Sequence, residues 1–372
     1  MPWIGQRKIA FIPVFRPHAF PPDLIPPDWA GAILRRVLFD PDAKTGADRS
    51  LRAYIHAASS GRADLDAVVK PMVTIDRQDV RLDQPDVAQL GQDVKNQGFD
   101  AAALVMLGLP PSGISQRGGF LARFVMQERL GTWAMELMHV LTGFADIRCQ
   151  PSFADCPDDV GDIGNFDEMA FNGGMHPSAY TKAAIQWLDG SAIAKHTGGS
   201  ASYDLHAVGL VQPPPTGRSA AIQVGSSVPY LMVEARIMVD QFESSSQLES
   251  GIPSQGVFVY RVQTSDPLGA AQGPDPNHPN IPVFLLTPTA PKVGEAFTSA
   301  SNVAVSVIGS IPGGFTVIVD DHDTYWHDGD LTSVTGAPGA AGDPSGYMFD
   351  AQGTQHVVYR AGNGHIHEMW WG

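Results

Sequence analysis

The chain contains little cysteine, little basic charge and no long apolar run. Only two of its 372 residues are cysteine, so it is not a small scaffold stabilised by several disulfides. Lys and Arg number 24 against 39 Asp and Glu, which gives a formal net charge of -15. Nucleic-acid phosphates and anionic membrane surfaces repel such a chain, so we expect no nucleic-acid partner. No apolar stretch approaches the ~20 residues of a membrane-spanning helix, so we expect no membrane span.

The two cysteines, Cys149 and Cys156, lie close together in a polar segment. A small disulfide loop is expected if the protein is secreted, and two free thiols are expected in a reducing compartment. The first residues, MPWIGQRKIAFIPVFRP, do not have the pattern of a signal peptide, because their apolar run is short and interrupted by proline. The acidic composition suits a secreted or extracellular protein, and we expect that location.

What the chain does contain is ample apolar material with frequent turn residues. Its 372 residues favour two or three domains. It is 43% hydrophobic, and its 39 Gly and 30 Pro favour many loops and β-strands. Strand and helix patterns alternate over about the first two hundred residues, as in α/β or α+β domains. The predicted strands are 8–15, 66–75 and 101–108, and the predicted helices are 50–60, 85–97, 121–143 and 178–188. A glycine-rich loop is predicted at 110–119.

After residue 205 the pattern changes to short strands separated by Pro, Gly and Ser, which predicts an all-β, sandwich-like region. The end of the chain differs again, being rich in His, Trp and Gly. We therefore predict an α+β fold of three parts: an α+β domain at 1–204, a sandwich-like domain at 205–323 and a short β tail at 324–372.

The segment that carries chemistry is 131–146, GTWAMELMHVLTGFAD, a predicted helix running into a glycine turn. Glu136 and His139 have the spacing of the general base and second ligand in the zinc-binding helix pattern H-E-x-x-H. Residues four apart share one helix face, so two imidazoles there can hold one zinc ion. Met135 occupies the first ligand position, and its thioether suits Cu(I) better than Zn(II). Gly143 can reverse the chain and bring Asp146 in as a downstream ligand.

The same helix also has a second interpretation, as an amphipathic core helix without chemistry. Its apolar residues recur at helical spacing. They are Trp133, Leu137, Val140, Leu141 and Phe144.

An acidic loop follows the helix. Its carboxylates are Asp155, Asp158, Asp159 and Asp162. Carboxylate oxygens suit calcium, so the loop is either a calcium site or a solvated acidic loop.

Five separated segments, in order, resemble the M6 family of metallopeptidases, the immune inhibitor A type. They are SLRAYIHAASSGRADL, GTWAMELMHVLTGFAD, IGNFDEMAFNGG, HPSAYTKAAIQWLD, and YLMVEAR with GVFVYRV. The resemblance runs from the first strand to about residue 320. It implies a zincin-like peptidase domain, a zinc cofactor and a protein or peptide substrate.

The resemblance also implies roles for single residues. Glu136 matches the general base, His139 the second zinc ligand and Asp146 the third, although Thr142 is one extra residue before the glycine. Met135 departs from the first ligand. Met169 matches the residue beneath the metal or is plain core, and His176 is a candidate transition-state donor or replacement ligand, or a loop histidine with a backbone hydrogen bond.

The tail, from about residue 325 to 371, resembles one blade of a PLL-like lectin propeller, which implies a glycan partner. A single blade cannot close a propeller, because each blade buries its face against neighbours. We therefore expect the aromatic and imidazole residues of the tail to be structural. These are His365, His367, Trp370 and Trp371.

Three functions follow as hypotheses. The first is a zinc endopeptidase in which Glu136 activates a zinc-bound water. The second is a catalytically inactive, protease-like module that binds peptide or glycan, because Met135 has replaced a zinc ligand. The third is an altered metal site in which His176 or another histidine replaces that ligand.

Overall fold

The structure is a computed structural model. It describes residues 2–17, 22, 25, 27–77, 79–107, 113–147, 163–171, 173–244, 251–263, 283–287, 290–299, 302–321, 327–330, 345–349, 354–360 and 365–371.

The first part of the chain forms a mainly parallel sheet in the order β2-β1-β4-β6-β5, with β3 also pairing with β1. Its strands are β1 (Gly5–Phe15), β2 (Ala63–Val69), β3 (Val73–Thr74), β4 (Ala101–Met106), β5 (Ile114–Ser115) and β6 (Leu121–Val125). Strand β5 at the edge is the exception, because it pairs with β6 in the antiparallel direction. The central strand β4 is buried at every residue, as expected for a parallel sheet with both faces covered.

Four helices cover the two faces of this sheet: α1 (Trp29–Leu38), α2 (Leu51–Ala58), α3 (Pro85–Lys95) and α4 (Leu130–Thr142). Alternate residues of β1 enter opposite cores. Ile9 and Phe11 join the cluster that contains α1, α2 and α4. Ala10 and Ile12 join the cluster that contains α3. Helix α4, buried along its whole length, is thus part of the core.

The structure differs from the sequence prediction around α4. The predicted helix 121–143 begins only at Leu130, because residues 121–125 form β6 and pair with β4. The buried Glu128 carboxylate accepts a hydrogen bond from the N–H of Val125 at the end of that strand. The predicted strand 66–75 is divided into β2 and β3, which lie on either side of Pro71. The predicted loop 110–119 contains β5.

Helix α5 (Ala179–Ala184) follows, shorter than predicted, with the Ser178 hydroxyl accepting from the N–H of Thr181. Two further sheets come next, in the orders β12-β11-β10-β9-β7 and β13-β14-β15-β8. Their strands are β7 (Ile193–His196), β8 (Gly199–His206), β9 (Ala221–Val224), β10 (Tyr230–Arg236), β11 (Gly256–Val262), β12 (Val283–Leu285), β13 (Ala296–Thr298), β14 (Val303–Ile311) and β15 (Gly314–Asp321).

Both of these sheets contribute to one valine-rich cluster, which includes Val233, Val259, Val305 and Val317. The sequence pattern predicts the first strand of this region at 206–212 (HAVGLVQ), but β8 ends at His206. The predicted boundary at 204/205 therefore lies within β8, and β7 before it pairs with β9.

The last strands are β16 (His327–Asp330), β17 (Ser345–Phe349), β18 (Thr354–Arg360) and β19 (Ile366–Trp371), which form an antiparallel sheet in the order β16-β19-β18-β17. The fold as a whole mixes a few helices with several sheets, which is the predicted α+β class. Among the described residues, no helix is both long and apolar enough to cross a membrane.

Candidate functional site on helix α4

The C-terminal end of α4 brings two of the predicted site residues together. Gly143 has a left-handed backbone (φ 78°) and its N–H donates to the carbonyl of His139. Glycine adopts this conformation without the steric cost that a side chain would add. The chain then turns back, so that the carboxylate of Asp146 lies 3.1 Å from Nε2 of His139.

Both ring nitrogens of His139 face hydrogen-bond acceptors. Nδ1 lies 2.6 Å from the carbonyl oxygen of Phe144, and Nε2 faces Asp146. A ring with two acceptors donates from both nitrogens only as the imidazolium. Burial by itself lowers the pKa of His139, but the hydrogen bond and charge of Asp146 outweigh it and raise the pKa.

This pair has part of the geometry of a metal centre. Two donors bound to one tetrahedral ion at about 2.0–2.1 Å stand roughly 3.3–3.4 Å apart. The separation of His139 and Asp146 is close to that value. The bond from Nδ1 to the Phe144 carbonyl is the type of outer contact that orients a metal-binding histidine.

A third strong zinc ligand beside His139 and Asp146 is missing from the described residues. Met135 lies one helical turn before His139, is 2% exposed and belongs to the hydrophobic core. Its thioether is neutral and soft, unlike the nitrogen, oxygen and thiolate donors of zinc sites. No group of three or more His, Cys, Asp or Glu that could hold a metal is present in the part of the chain that the structure describes. One imidazole and one carboxylate do not fit a three-ligand zinc site.

Glu136 is 8% exposed and lies against the segment that leads into β5. A Cβ atom built on Gly113 would stand 2.8 Å from Oε1 of Glu136, so this close approach requires glycine. Burial, and to a lesser extent the charge of Glu136, raises the pKa of the nearby Glu128 carboxyl against its hydrogen bond from Val125. The Glu136 carboxylate is therefore positioned beside the edge of the parallel sheet.

His176 lies in a different cluster from His139. Its Nε2 is 3.1 Å from Oδ2 of Asp240 and its Nδ1 is 3.9 Å from Glu243. The rings of Tyr54 and Phe242 contact it as well, and the imidazole is fully buried. The structure thus does not bring His176 to the His139–Asp146 pair.

Met169 is fully buried, and its backbone reaches the candidate site. Its carbonyl accepts the N–H of Ile147, the residue after Asp146. Its own N–H donates to the Asp167 carboxylate, whose other oxygen accepts from Ser178 and Thr181 at the start of α5. The backbone of Met169 is therefore bonded to the segment that carries Asp146, and its side chain packs in the core.

Sequence reasoning missed a buried ionic cluster around Arg236. The guanidinium is fully buried, donates to the carbonyls of Phe166 and His176, and pairs with Glu234 and Glu243 at 3.2 and 2.7 Å. Burial by itself lowers the pKa of Arg236, but the two carboxylates outweigh it and raise the pKa. One feature of the sequence could have indicated this cluster. Glu234 and Arg236 lie within the otherwise apolar strand YLMVEAR, and buried charges need partners.

Several predicted features lie outside the described residues. They are Cys149, Cys156 and the acidic loop at 155–162, predicted as either a calcium site or a solvated loop. The tail side chains predicted to be structural are also not described, apart from His365.

No protein-family model matches the chain, and no curated protein matches its sequence. The resemblances to M6 peptidases and to a propeller blade therefore stay predictions.

Proposed function

We propose that this protein has a zincin-like, M6-type peptidase fold, binds extended peptides and does not hydrolyse them by zinc catalysis. The α+β part carries the peptidase-like site, the two valine-lined sheets form a β-sandwich, and the last four strands form a single lectin-like blade.

The order of elements supports the fold proposal. A mainly parallel sheet ends in the antiparallel edge strand β5, and α4 contacts both β5 and β6. The helix is followed by the Gly143 turn, Asp146 and the Met169 segment, whose carbonyl accepts from the N–H of Ile147. One of the M6-like sequence segments, GTWAMELMHVLTGFAD, lies on α4 and the turn that follows it.

The observation that carries the loss of zinc catalysis is Met135 in the first ligand position, buried in the core. The two remaining donors bind each other, because Asp146 holds Nε2 of His139 in its protonated form. A metal has to displace that proton and has only two strong ligands to gain. Without a metal-bound water, Glu136 has nothing to activate.

Edge strand β5 supports the peptide-binding part of the proposal. Ile114 is 44% exposed, and Gly113 just before it touches Glu136. A sheet edge with unpaired backbone groups can add an extended peptide as a further strand. A peptide on this edge would lie next to the segment that contacts Glu136.

A zinc endopeptidase is the second candidate function. The 3.1 Å separation of His139 and Asp146 favours it, because this pair keeps the spacing of two ligands of one ion. Activity then requires a third strong donor that the described residues do not supply.

Zinc content distinguishes the two functions. We expect the purified protein to contain no stoichiometric zinc and not to cleave casein. We expect Met135→His, which places a histidine in the first ligand position, to bind zinc. Met135→Leu is the control, because it removes the thioether but keeps an apolar side chain in the core, and we expect it to bind no zinc. Near-stoichiometric zinc in the unaltered chain, lost on chelation together with casein cleavage, would establish the endopeptidase instead.

Peptide binding has its own test. We expect Ile114→Asp to weaken binding of a labelled extended peptide, measured by fluorescence anisotropy, by about tenfold. Ile308→Asp changes an isoleucine of similar exposure on β14 and serves as the control. Equal binding by both variants, or no saturable binding by the unaltered protein, would contradict a β5 binding edge.

A further inference from the structure

A cavity of about 420 Å³ lies at the opposite end of α4 from the His139–Asp146 pair. Leu130 and His139 are nine positions apart on α4, which corresponds to about 13 Å along the helix axis. The cavity is therefore distinct from the His139–Asp146 pair, although the same helix contributes to both.

Four chain segments that are distant in sequence form this cavity. They are the last turn of α1, the loop at 40–49, the connection at 127–130 between β6 and α4, and the turn at 241–242. The side-chain amide of Gln241 donates to the carbonyl of Asp48 and so joins two of these segments. Because the walls come from several packed elements, the cavity is a preformed feature of the fold.

Both signs of charge line the cavity in equal number. The cationic side chains are Arg36, Arg49 and Arg129, and the anionic side chains are Asp40, Asp42 and Glu128. Nε of Arg49 lies 3.4 Å from Oδ2 of Asp42, and a guanidinium N–H of Arg36 donates to the carbonyl of Glu128. These contacts hold the two guanidinium groups at the wall.

The carboxylates of the lining are also held in place. Glu128 is 7% exposed and anchored by the N–H of Val125. Backbone N–H groups at 44 and 45 orient the Asp42 carboxylate. Asp40 adds a third, half-buried carboxylate, while Pro41, Leu130 and Phe242 add apolar wall.

We infer that this cavity binds a free α-amino acid with an apolar side chain. A simple anion would meet three carboxylates and a simple cation three guanidinium groups, whereas a zwitterion pairs with both. Guanidinium groups suit a carboxylate, and the acidic side chains suit an ammonium group. The apolar wall accepts the side chain, and the volume lies in the range of small-molecule sites.

The inference is tested on the full chain by isothermal titration calorimetry with L-leucine. Two probes each lack one charge: 4-methylpentanoate has no ammonium group, and 3-methylbutan-1-amine has no carboxylate. We expect saturable binding of leucine and at least about tenfold weaker binding of either probe. Absence of saturable leucine binding up to about 10 mM, or equal binding of leucine and one probe, would overturn the inference.

Variants locate the site. We expect Arg49→Gln to weaken leucine binding about tenfold, while Arg52→Gln, whose arginine pairs with Asp64 outside the cavity, leaves it unchanged. Ala43→Trp narrows the cavity from an exposed position without removing a charge, and it too should weaken binding. Unchanged leucine affinity in a folded Ala43→Trp protein would place the binding elsewhere.

Discussion

At the scale of single residues, the chemistry of the candidate site depends on Met135 and on the two acceptors around His139. A thioether packs well in the core but is a weak ligand for zinc. Met135 therefore contributes hydrophobic packing at this position, while His139 and Asp146 converge nearby.

Lys182 illustrates a buried charge with a measurable cost. Its ammonium group is almost fully buried and donates to the carbonyl of Val208. Burial, followed by the charge of Arg236, lowers the pKa of Lys182 to about 8. In the unfolded chain a lysine has a pKa of about 10.4. Between about pH 8 and pH 10.4 the unfolded state therefore binds more protons than the folded state, so the free energy of unfolding rises with pH.

We therefore expect the free energy of unfolding of the unaltered protein to rise, relative to that of Lys182→Met, between pH 8 and 10. The difference should be on the order of 2–3 kcal/mol at the upper end. Urea denaturation at several pH values measures it. Lys195→Met, which removes an exposed lysine, is the control. If the free energies of unfolding of the two variants change with pH in parallel, the pKa of Lys182 is not lowered.

At the scale of elements, the sequence predicted the positions of most helices and strands of the first sheet. Ser50 begins α2 as an N-cap, and Gly143 ends α4, because these residues have strong local preferences. The prediction was wrong at β6 and α4, where no Gly, Pro, Asn or Asp lies between the strand and the helix. The stretch 121–125 is apolar enough for either structure, and only its pairing with β4 makes it a strand.

Helix α3 packs so closely on β6 that a glycine is required at their contact. A Cβ atom on Gly91 would lie 2.8–2.9 Å from side-chain carbons of Leu121, which is itself 2% exposed. We expect Gly91→Ala to lower the free energy of unfolding by about 1–3 kcal/mol, although alanine favours helix. Gln92→Ala, at an exposed position of the same helix, is the control for chemical denaturation. A more stable Gly91→Ala protein would mean that Leu121 moves aside easily.

At the scale of the whole molecule, one buried network ties the first part of the chain to the later sheets. Arg236 on β10 donates to carbonyls at 166 and 176, and Glu234 accepts from the N–H of Ala179 at the start of α5. The largest hydrophobic cluster also runs from the parallel sheet to β10 and β11. We expect these parts to unfold together.

Glu243→Gln tests this connection. The substitution keeps the shape of the side chain but removes one of the two carboxylates that balance the buried Arg236. We expect the free energy of unfolding to fall by about 3 kcal/mol or more, because the buried charge of Arg236 is then poorly compensated. Glu295→Gln, whose carboxylate lies at the surface, should change stability little.

The measurement is denaturation followed by circular dichroism and tryptophan fluorescence. A single transition that moves to lower denaturant in both signals is expected for Glu243→Gln. Two separate transitions in the unaltered protein would contradict a shared, cooperative core.

The sequence by itself determined the α+β class, the helix with Glu136 and His139, and the glycine turn that carries Asp146 back to His139. These features follow from local rules, since helix periodicity and capping act within a few residues. The tertiary structure decided which side chains meet. The pairing of His176 with Asp240, the ionic cluster of Arg236 and the charged cavity at the other end of α4 all join residues distant in sequence. Their contacts arise because several packed elements converge, and no local pattern in one chain reports that convergence.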